Sequence, residues 1–318
     1  MQPRSATGPV VVTGAAGFAG SHLVEHLSQQ TEIIAWARSA PPAELAHLAR
    51  WQQVDLLDRE RVRALVREVR PARVFHSAGL AHVAESWADT SRPLAVNVRA
   101  THHLLDALRR SGVHARVLIT GSATVYAASD QPVREDSPLR PASPYALSKL
   151  AQEQLGLRAA VEDGVDVVVT RSFNHTGARQ RPSFVAPGIA QQIARIEHGR
   201  QEAVIHIGNT DAQRDFLDIR DIVRAYAGLM DAGAAGTIYN IASGVARSVR
   251  SVLDGLIARA RVPIRIEVDP ARLRPSDTPI LVGDATRLHE TTGWTQQVPF
   301  DRMLDDLLAY WRQVEAST

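Results

Sequence analysis

The stretch Val10-Val11-Val12-Thr13-Gly14-Ala15-Ala16-Gly17-Phe18-Ala19-Gly20 decides the fold. A short run of apolar, β-branched residues enters a glycine turn, and the turn opens straight into a helical pattern. Such a run reads as a strand covered on both faces. Glycines placed after it permit a tight turn, close approach of the backbone to a pyrophosphate, and close packing of helix on sheet. The helix N-terminus that follows attracts phosphate. The spacing is GxxGxxG rather than the commoner GxGxxG, so the reading rests on position: strand, glycine turn, helix. Gly14, Gly17, Phe18, Ala19 and Gly20 are therefore candidate phosphate-binding positions.

Outward from this turn, the first half of the chain repeats the same grammar. Ile33–Ala37, Arg73–Ala78, Arg116–Ser122 and Asp166–Ser172 read as further buried strands. Between them lie helical stretches such as 58–70, where Val62, Leu65, Val66 and Val69 keep the i, i+3, i+4, i+7 spacing. Strands alternating with helices imply right-handed crossovers and a Rossmann-type, doubly wound parallel sheet in the α/β class. Ligands of such a sheet sit at the carboxyl ends of its strands. After about residue 174 the rhythm changes, with a loop-rich passage, a helix over 187–198 and a short strand over 203–207. Residues 215–230 and 237–242 resume helix and strand character. The chain ends in a helix with Phe300, Met303, Leu304, Leu307, Leu308 and Trp311 on one face. We expect a nucleotide-binding domain from 1–173 plus 215–242, and a smaller substrate lobe from 174–214 plus 243–318.

Composition narrows the function classes. The 318 residues are 45% hydrophobic and 22% charged, with no cysteine and a net charge of +2. The apolar content excludes disorder, and no apolar run is long enough for a membrane span. The absence of cysteine excludes disulfides, thiolate metal sites and thiol nucleophiles. A near-neutral charge supplies no field for nucleic acid. MQPRSATGPVVVTG runs directly into the first strand pattern, which predicts a cytoplasmic protein. Twelve histidines include His102-His103, expected on a helix at an interface, but no grouping has metal-ligand spacing. Asp301, Asp305 and Asp306 read as the wet face of the last helix, and Trp51, Trp87 and Trp294 as packing residues.

Of the 36 basic side chains, all but Lys149 are arginine. Arginine cannot imitate a compact ammonium with a tunable pKa, so the lone lysine is a candidate for chemistry. It lies in Ser143-Pro-Tyr145-Ala-Leu-Ser-Lys149, where Tyr145 and Lys149 share one helix face. An ammonium beside the phenol is expected to stabilise phenolate and lower the tyrosine pKa, making Tyr145 a general acid or base. Upstream, Gly121-Ser122-Ala123-Thr124-Val125-Tyr126 ends a strand, where Ser122 can hold a reacting oxygen. At the end of the second strand, Ile33-Ile34-Ala35-Trp36-Ala37-Arg38 carries no carboxylate. A carboxylate there reads a ribose 2′-hydroxyl and an arginine suits a 2′-phosphate, so Arg38 favours NADP, with NAD as the alternative. Asp55-Leu56 is placed to meet the adenine.

The set TGAAGFAG, DLLD, HSAG, GSATVY and SPYALSK resembles the extended short-chain dehydrogenase/reductase family, of the NAD-dependent epimerase/dehydratase type, over nearly the whole chain. The resemblance implies a catalytic set of Ser122, Tyr145 and Lys149. It implies cofactor contacts at the glycine turn, at Arg38, Asp55 and Leu56, at Ser77, Ala78 and Gly79, and at Thr120 and Ser172. It also implies a nucleoside-diphosphate-sugar substrate and a homodimer through a four-helix bundle of helices near 98–110 and 145–160.

Within that family, sugar-nucleotide 4,6-dehydratases resemble one another in carrying an acid at the place of Thr124, often with another at Ala123. Elimination across C5–C6 needs that carboxylate, and threonine is no base at neutral pH. Ser-Ala-Thr-Val-Tyr resembles the epimerases. Arg171-Ser-Phe-Asn174-His-Thr-Gly177, Ser183-Phe-Val185, Gln213-Arg214-Asp215-Phe216 and Asp269-Pro-Ala-Arg272-Leu-Arg274-Pro-Ser-Asp277 resemble reductases of GDP-4-keto-6-deoxy-mannose and, more loosely, GDP-mannose dehydratases. By that resemblance Ser122, Ala123, Thr124, Asn174, Arg214, Arg274 and Asp277 contact diphosphate and sugar, and Val185 lies against the base. The expected activity is NAD(P)H-dependent reduction of a C4 ketone, with no metal. The alternatives are an NAD-dependent 4-epimerase, a GDP-mannose dehydratase, and a non-catalytic sensor on the same fold.

Overall fold

The computed structural model describes residues 8–269 and 279–317. A seven-stranded parallel sheet forms the centre. Its strands β1 (Val10–Thr13), β2 (Ile33–Ala37), β3 (Arg50–Gln53), β4 (Arg73–His76), β5 (Arg116–Ser122) and β6 (Asp166–Ser172) are joined by a last strand, Thr237–Ile241. The spatial order is Thr237–Ile241, β6, β5, β4, β1, β2, β3. The order reverses beside β1, between the β2 and β4 sides, and that reversal leaves a crevice at the carboxyl end where loops splay apart.

Two apolar layers cover the sheet. One packs the first helix, α1 (Phe18–Leu27), and the helix Ile219–Ala232 on one face. The other packs α2 (Arg59–Val69), the helix Ala100–Ser111 and the helix Pro144–Glu162 on the opposite face. The expected strands and helices appear with shifts of a residue or two at their ends. Arg73–Ala78 is shorter than expected, since regular pairing stops at His76 and the next two residues, Ser77 and Ala78, turn to hydrogen-bond Thr13 of β1. The sequence reading passed over β3 altogether. Its residues Arg50-Trp51-Gln52-Gln53 are half-exposed at the sheet edge and show no apolar run.

A second sheet assembles around Gln213–Asp218, which pairs in parallel with Asn174–Thr176 and Ile280–Leu281 and antiparallel with Ala246–Ser248. Residues 215–218 therefore pair within this sheet rather than the large one, and the chain rejoins the large sheet at Thr237. A third apolar cluster buries Met303, Leu304, Leu307, Leu308 and Trp311 of the last helix against the helix Val185–Glu197. Asp301, Asp305 and Asp306 lie on its open side, paired with Arg259, Arg220 and Arg302. Trp294 packs as expected, and Trp51 is partly buried against the core. Trp87 does not: it is 57% exposed on the short helix Val83–Ala88 among the described residues.

One buried ion pair fastens the helix Pro144–Glu162 to β6. Arg171 donates from Nε and Nη2 to the two carboxylate oxygens of Glu153 at 2.7 and 2.6 Å. Both residues are at most 2% exposed. Deleting one partner leaves an uncompensated buried charge. Glu153→Ala is expected to lower unfolding stability by about 3–5 kcal/mol, measured by urea denaturation.

Candidate active site

Loops after β1, β4, β5 and β6 converge at one end of the sheet. Gly14 adopts φ +66°, a left-handed conformation that a side chain resists. A Cβ on Gly14 would also come within 2.6 Å of Ala78 Cα, so the loops after β1 and β4 touch backbone to backbone. A Cβ on Gly20 would lie 2.1 Å from the Gly14 carbonyl oxygen, so the turn closes on the helix only with glycine there. Gly17 is the N-cap and Phe18 the first helical residue, with Ala19 behind it. Ser77 Oγ donates to Thr13 O at 2.8 Å, and Ala78 N donates to Thr13 Oγ1 at 3.3 Å. Gly79 follows on the same loop, and a Cβ there would meet Asn97 Oδ1 at 2.8 Å.

Arg38 projects from the end of β2, exposed, with no ion pair among the described residues. The edge strand β3 brings Asp55 and Leu56 beside it: Val54 N donates to Ala37 O at 2.8 Å. Asp55 is exposed and Leu56 buried.

Ser122, Tyr145 and Lys149 are 9%, 7% and 5% exposed. Ser122 closes β5, where it stands in register with Ser172 of β6. Ser172 Oγ is 2.8 Å from the Tyr226 hydroxyl. Ser122 Oγ lies 3.0 Å from Thr124 Oγ1 on the single helical turn Ala123–Val125. Tyr145 sits in the first turn of the helix Pro144–Glu162, whose N-cap Ser143 accepts from Ala146 N at 3.1 Å. Proline at the first helical position fixes that start.

Contrary to expectation, Lys149 does not bring the phenol down. Burial pushes the Tyr145 pKa above its ordinary value, and the opposing pull is a hydrogen bond with Ser122. The physical reason is the burial of the phenol itself, which outweighs that hydrogen bond; burial also lowers the Lys149 pKa to about 8. Its ammonium donates to Thr120 O at 2.8 Å and to Gln152 Oε1 at 2.9 Å. Thr120 thus meets the lysine through its carbonyl, while its hydroxyl donates to His76 O at 3.2 Å.

The remaining candidates lie towards the second sheet. Asn174 is exposed at the start of Asn174–Thr176, and Val185, 46% exposed, opens the helix Val185–Glu197. Arg214 lies on Gln213–Asp218 and donates to Gln213 O at 2.8 Å. Ala123 is buried in an apolar cluster with Tyr126, Phe173 and Ala242. Arg274 and Asp277 lie outside the described residues.

The sequence reading missed Asn97, which sits in a π-helical turn, Leu94–Arg99. Asn97 is fully buried; its Oδ1 accepts from Leu80 N at 2.7 Å, and its Nδ2 donates to Ser148 Oγ at 2.8 Å. It therefore joins the loop carrying Gly79 to the helix carrying Tyr145 and Lys149. A π turn marks functional sites more often than ordinary helix, but no sequence pattern announces it. Among the described residues, no group of three or more His, Asp or Glu side chains could hold a metal ion.

Residues 11–307 match the family model for GDP-mannose 4,6 dehydratase. The chain belongs to this family. It is similar to the GDP-6-deoxy-D-mannose reductase of Pseudomonas aeruginosa, at 36% identity covering 94% of this chain and 96% of that protein. Among solved structures, it resembles RMD from Pseudomonas aeruginosa complexed with NADPH, with a TM-score of 0.86 and 33% identity over 97% of this chain and all of that one. The Thermus thermophilus UDP-glucose 4-epimerase in complex with NAD superposes with a TM-score of 0.85 at 28% identity, over 96% of this chain and 99% of the other. Proteins of different reactions thus share this scaffold, and the label of the family does not name the reaction of this chain.

Asn97→Ala removes the acceptor of Leu80 N and a donor to Ser148 Oγ, which keeps its own bond to Tyr145 O at 2.7 Å. The expected cost is about 1–3 kcal/mol, chiefly from the Leu80 N–H left without its acceptor. A lowered urea midpoint with an unchanged slope checks it.

Proposed function

We propose that this enzyme reduces the C4 ketone of GDP-4-keto-6-deoxy-D-mannose, forming GDP-D-rhamnose, with NADPH as reductant and NAD(H) as a second cofactor. The observation that carries the reading is Thr124. Where dehydration needs a carboxylate beside the reacting carbon, this site places a hydroxyl, 3.0 Å from Ser122 Oγ. A hydroxyl holds oxygen and cannot take a carbon-bound proton. The likeness to the reductase of Pseudomonas aeruginosa over nearly the whole of both chains supports the same reading.

The glycine cradle fits a dinucleotide pyrophosphate, since the Gly14–Gly20 closure leaves backbone N–H groups at the start of α1 without side chains over them. Gly14, Gly17, Phe18, Ala19 and Gly20 would hold the pyrophosphate, and Arg38 the 2′-phosphate. Asp55 and Leu56 would meet the adenine, and Ser77, Ala78, Gly79, Thr120 and Ser172 would line the path inward. When bound, the cofactor supplies a hydride to the carbonyl carbon. Tyr145, kept protonated by burial, donates its proton to O4 as charge develops there. Ser122 hydrogen-bonds the same oxygen, and the tyrosinate regains a proton from water. Lys149 supplies a positive charge behind the phenol and a donor for the nicotinamide ribose. Asn174, Arg214, Arg274 and Asp277 hold diphosphate and sugar, and Val185 lies against the base.

We also propose the division into a nucleotide domain and a substrate lobe, with residues 215–218 assigned to the lobe by their pairing. A homodimer is supported by Trp87, Leu94 and Leu147. These three large apolar side chains lie open to solvent on helical segments that pack together. Consumption of NADPH fits a cytoplasmic setting. Among the described residues, no helix is long and apolar enough to cross a membrane.

Supplied with GDP-4-keto-6-deoxy-D-mannose, the enzyme should oxidise one NADPH per sugar reduced, followed at 340 nm. Tyr145→Phe should stop turnover. Lys149→Arg should lower kcat by more than about tenfold, because a guanidinium is larger and always charged. Interconversion of a nucleotide-sugar pair with no net NADPH consumption would overturn the reductase reading in favour of an epimerase.

Arg38→Ala should weaken NADPH far more than NADH, on the scale of a charge-assisted hydrogen bond of about 1.5–3 kcal/mol. Fluorescence titration with both cofactors reads the difference.

A further inference from the structure

Between the cofactor loop and Lys149 runs one buried chain of hydrogen bonds in which every donor can be assigned. Lysine only donates, so Gln152 Oε1, 2.9 Å from the ammonium, accepts. That fixes the carboxamide, whose Nε2 then donates to Thr101 Oγ1 at 2.8 Å. The single proton of Thr101 goes to the carbonyl of Asn97 at 2.6 Å, so its hydroxyl must accept from His76 Nε2, also at 2.8 Å. His76 therefore carries its proton on Nε2, and its Nδ1 accepts from Thr13 Oγ1 at 2.8 Å. Thr13 Oγ1 in turn accepts from Ala78 N. Gln152, Thr101, His76 and Thr13 are each 0% exposed.

We propose that Gln152 is a positioning residue for Lys149: its carboxamide, oriented by Thr101 and His76, fixes where the ammonium points and ties it to the loop that begins at Thr13. An ammonium on a four-carbon stem rotates freely until its donors are held. With Thr120 O and Gln152 Oε1 holding two N–H bonds, tetrahedral geometry sets the direction of the third. The order of the chain requires a neutral imidazole. A second proton on His76 would displace the Thr13 donor, and burial with the nearby Lys149 charge lowers the His76 pKa to about 3. His76 from β4 is coupled electrostatically to the ammonium, and Tyr145 lies one turn earlier on the same helix. The adjacent Glu153 is committed to Arg171, and from β5 the Thr120 carbonyl accepts from the ammonium. The inference rests on Lys149 being the lysine of the proposed reaction.

Because Lys149 is the sole lysine, protein labelled with 13C-lysine gives one side-chain Cε resonance, whose titration reads this ammonium without any turnover. The wild-type resonance should titrate near 8. Gln152→Leu removes an acceptor and should move it down by about 1 on the pH scale. Gln152→Glu places a carboxylate there and should move it up. The basic limb of the kcat profile should follow each shift while KM for the nucleotide sugar stays put. Should the leucine variant fail to fold, the near-isosteric glutamate variant decides alone. Identical titration in wild type and variants would overturn the proposal. If the resonance shifts as expected but wild-type enzyme leaves NADPH unoxidised, the reductase reading falls and the positioning role stands. The converse result separates them the other way.

Discussion

An ammonium buried at the carboxyl end of a parallel sheet is the constraint around which this molecule is arranged. Removing a lysine charge from water costs several kcal/mol unless acceptors replace the lost solvent. Here the acceptors are a strand carbonyl, Thr120 O, and a carboxamide one helical turn ahead, Gln152 Oε1. Each is a charge-assisted bond of about 1.5–3 kcal/mol, enough to offset much of the cost. The remainder shows as the lowered pKa of Lys149. Every acceptor must in turn be held, which draws Thr101, His76 and Thr13 into the same network.

That requirement links three loops that the chain delivers from distant positions. Thr13 begins the glycine turn, Ala78 follows β4, and Asn97 lies in a π turn whose side chain clamps Leu80 and Ser148. Gly14 and Gly79 lack side chains where backbone or polar atoms crowd in, so the loops can meet. The polar network and the glycine contacts thus describe one close-packed junction. It holds phosphate-binding backbone on one side and proton-handling side chains on the other.

Arginine and lysine divide the labour in this chain by shape. Arg171 forks onto both oxygens of buried Glu153, and Arg59, Arg63 and Arg110 converge on Asp106. A planar guanidinium serves such carboxylates well and never gives up its proton. The position that needs a compact, tunable charge holds the lysine. The same economy of shape separates the reaction classes: at Thr124 a hydroxyl stands beside Ser122, and the site can hold an oxygen but not abstract from carbon.

Much of this was legible in the sequence because it is local. The apolar run Val10–Thr13, the glycine turn and the four-residue spacing of Tyr145 and Lys149 are properties of short segments, and the strands buried on both faces announced themselves by composition. The polar edge strand Arg50–Gln53 did not, since an edge strand needs no apolar face, and Trp87 looked like core by residue type alone. Tertiary structure decided the rest. The sign of the Tyr145 shift depends on how deeply the phenol is buried, which no spacing encodes. The roles of Gln152, Thr101, His76 and Asn97 depend on which donor faces which acceptor across contacts as many as 63 residues apart. Sequence periodicity determines which face of an element is apolar; only the packed fold determines which buried polar groups must satisfy one another.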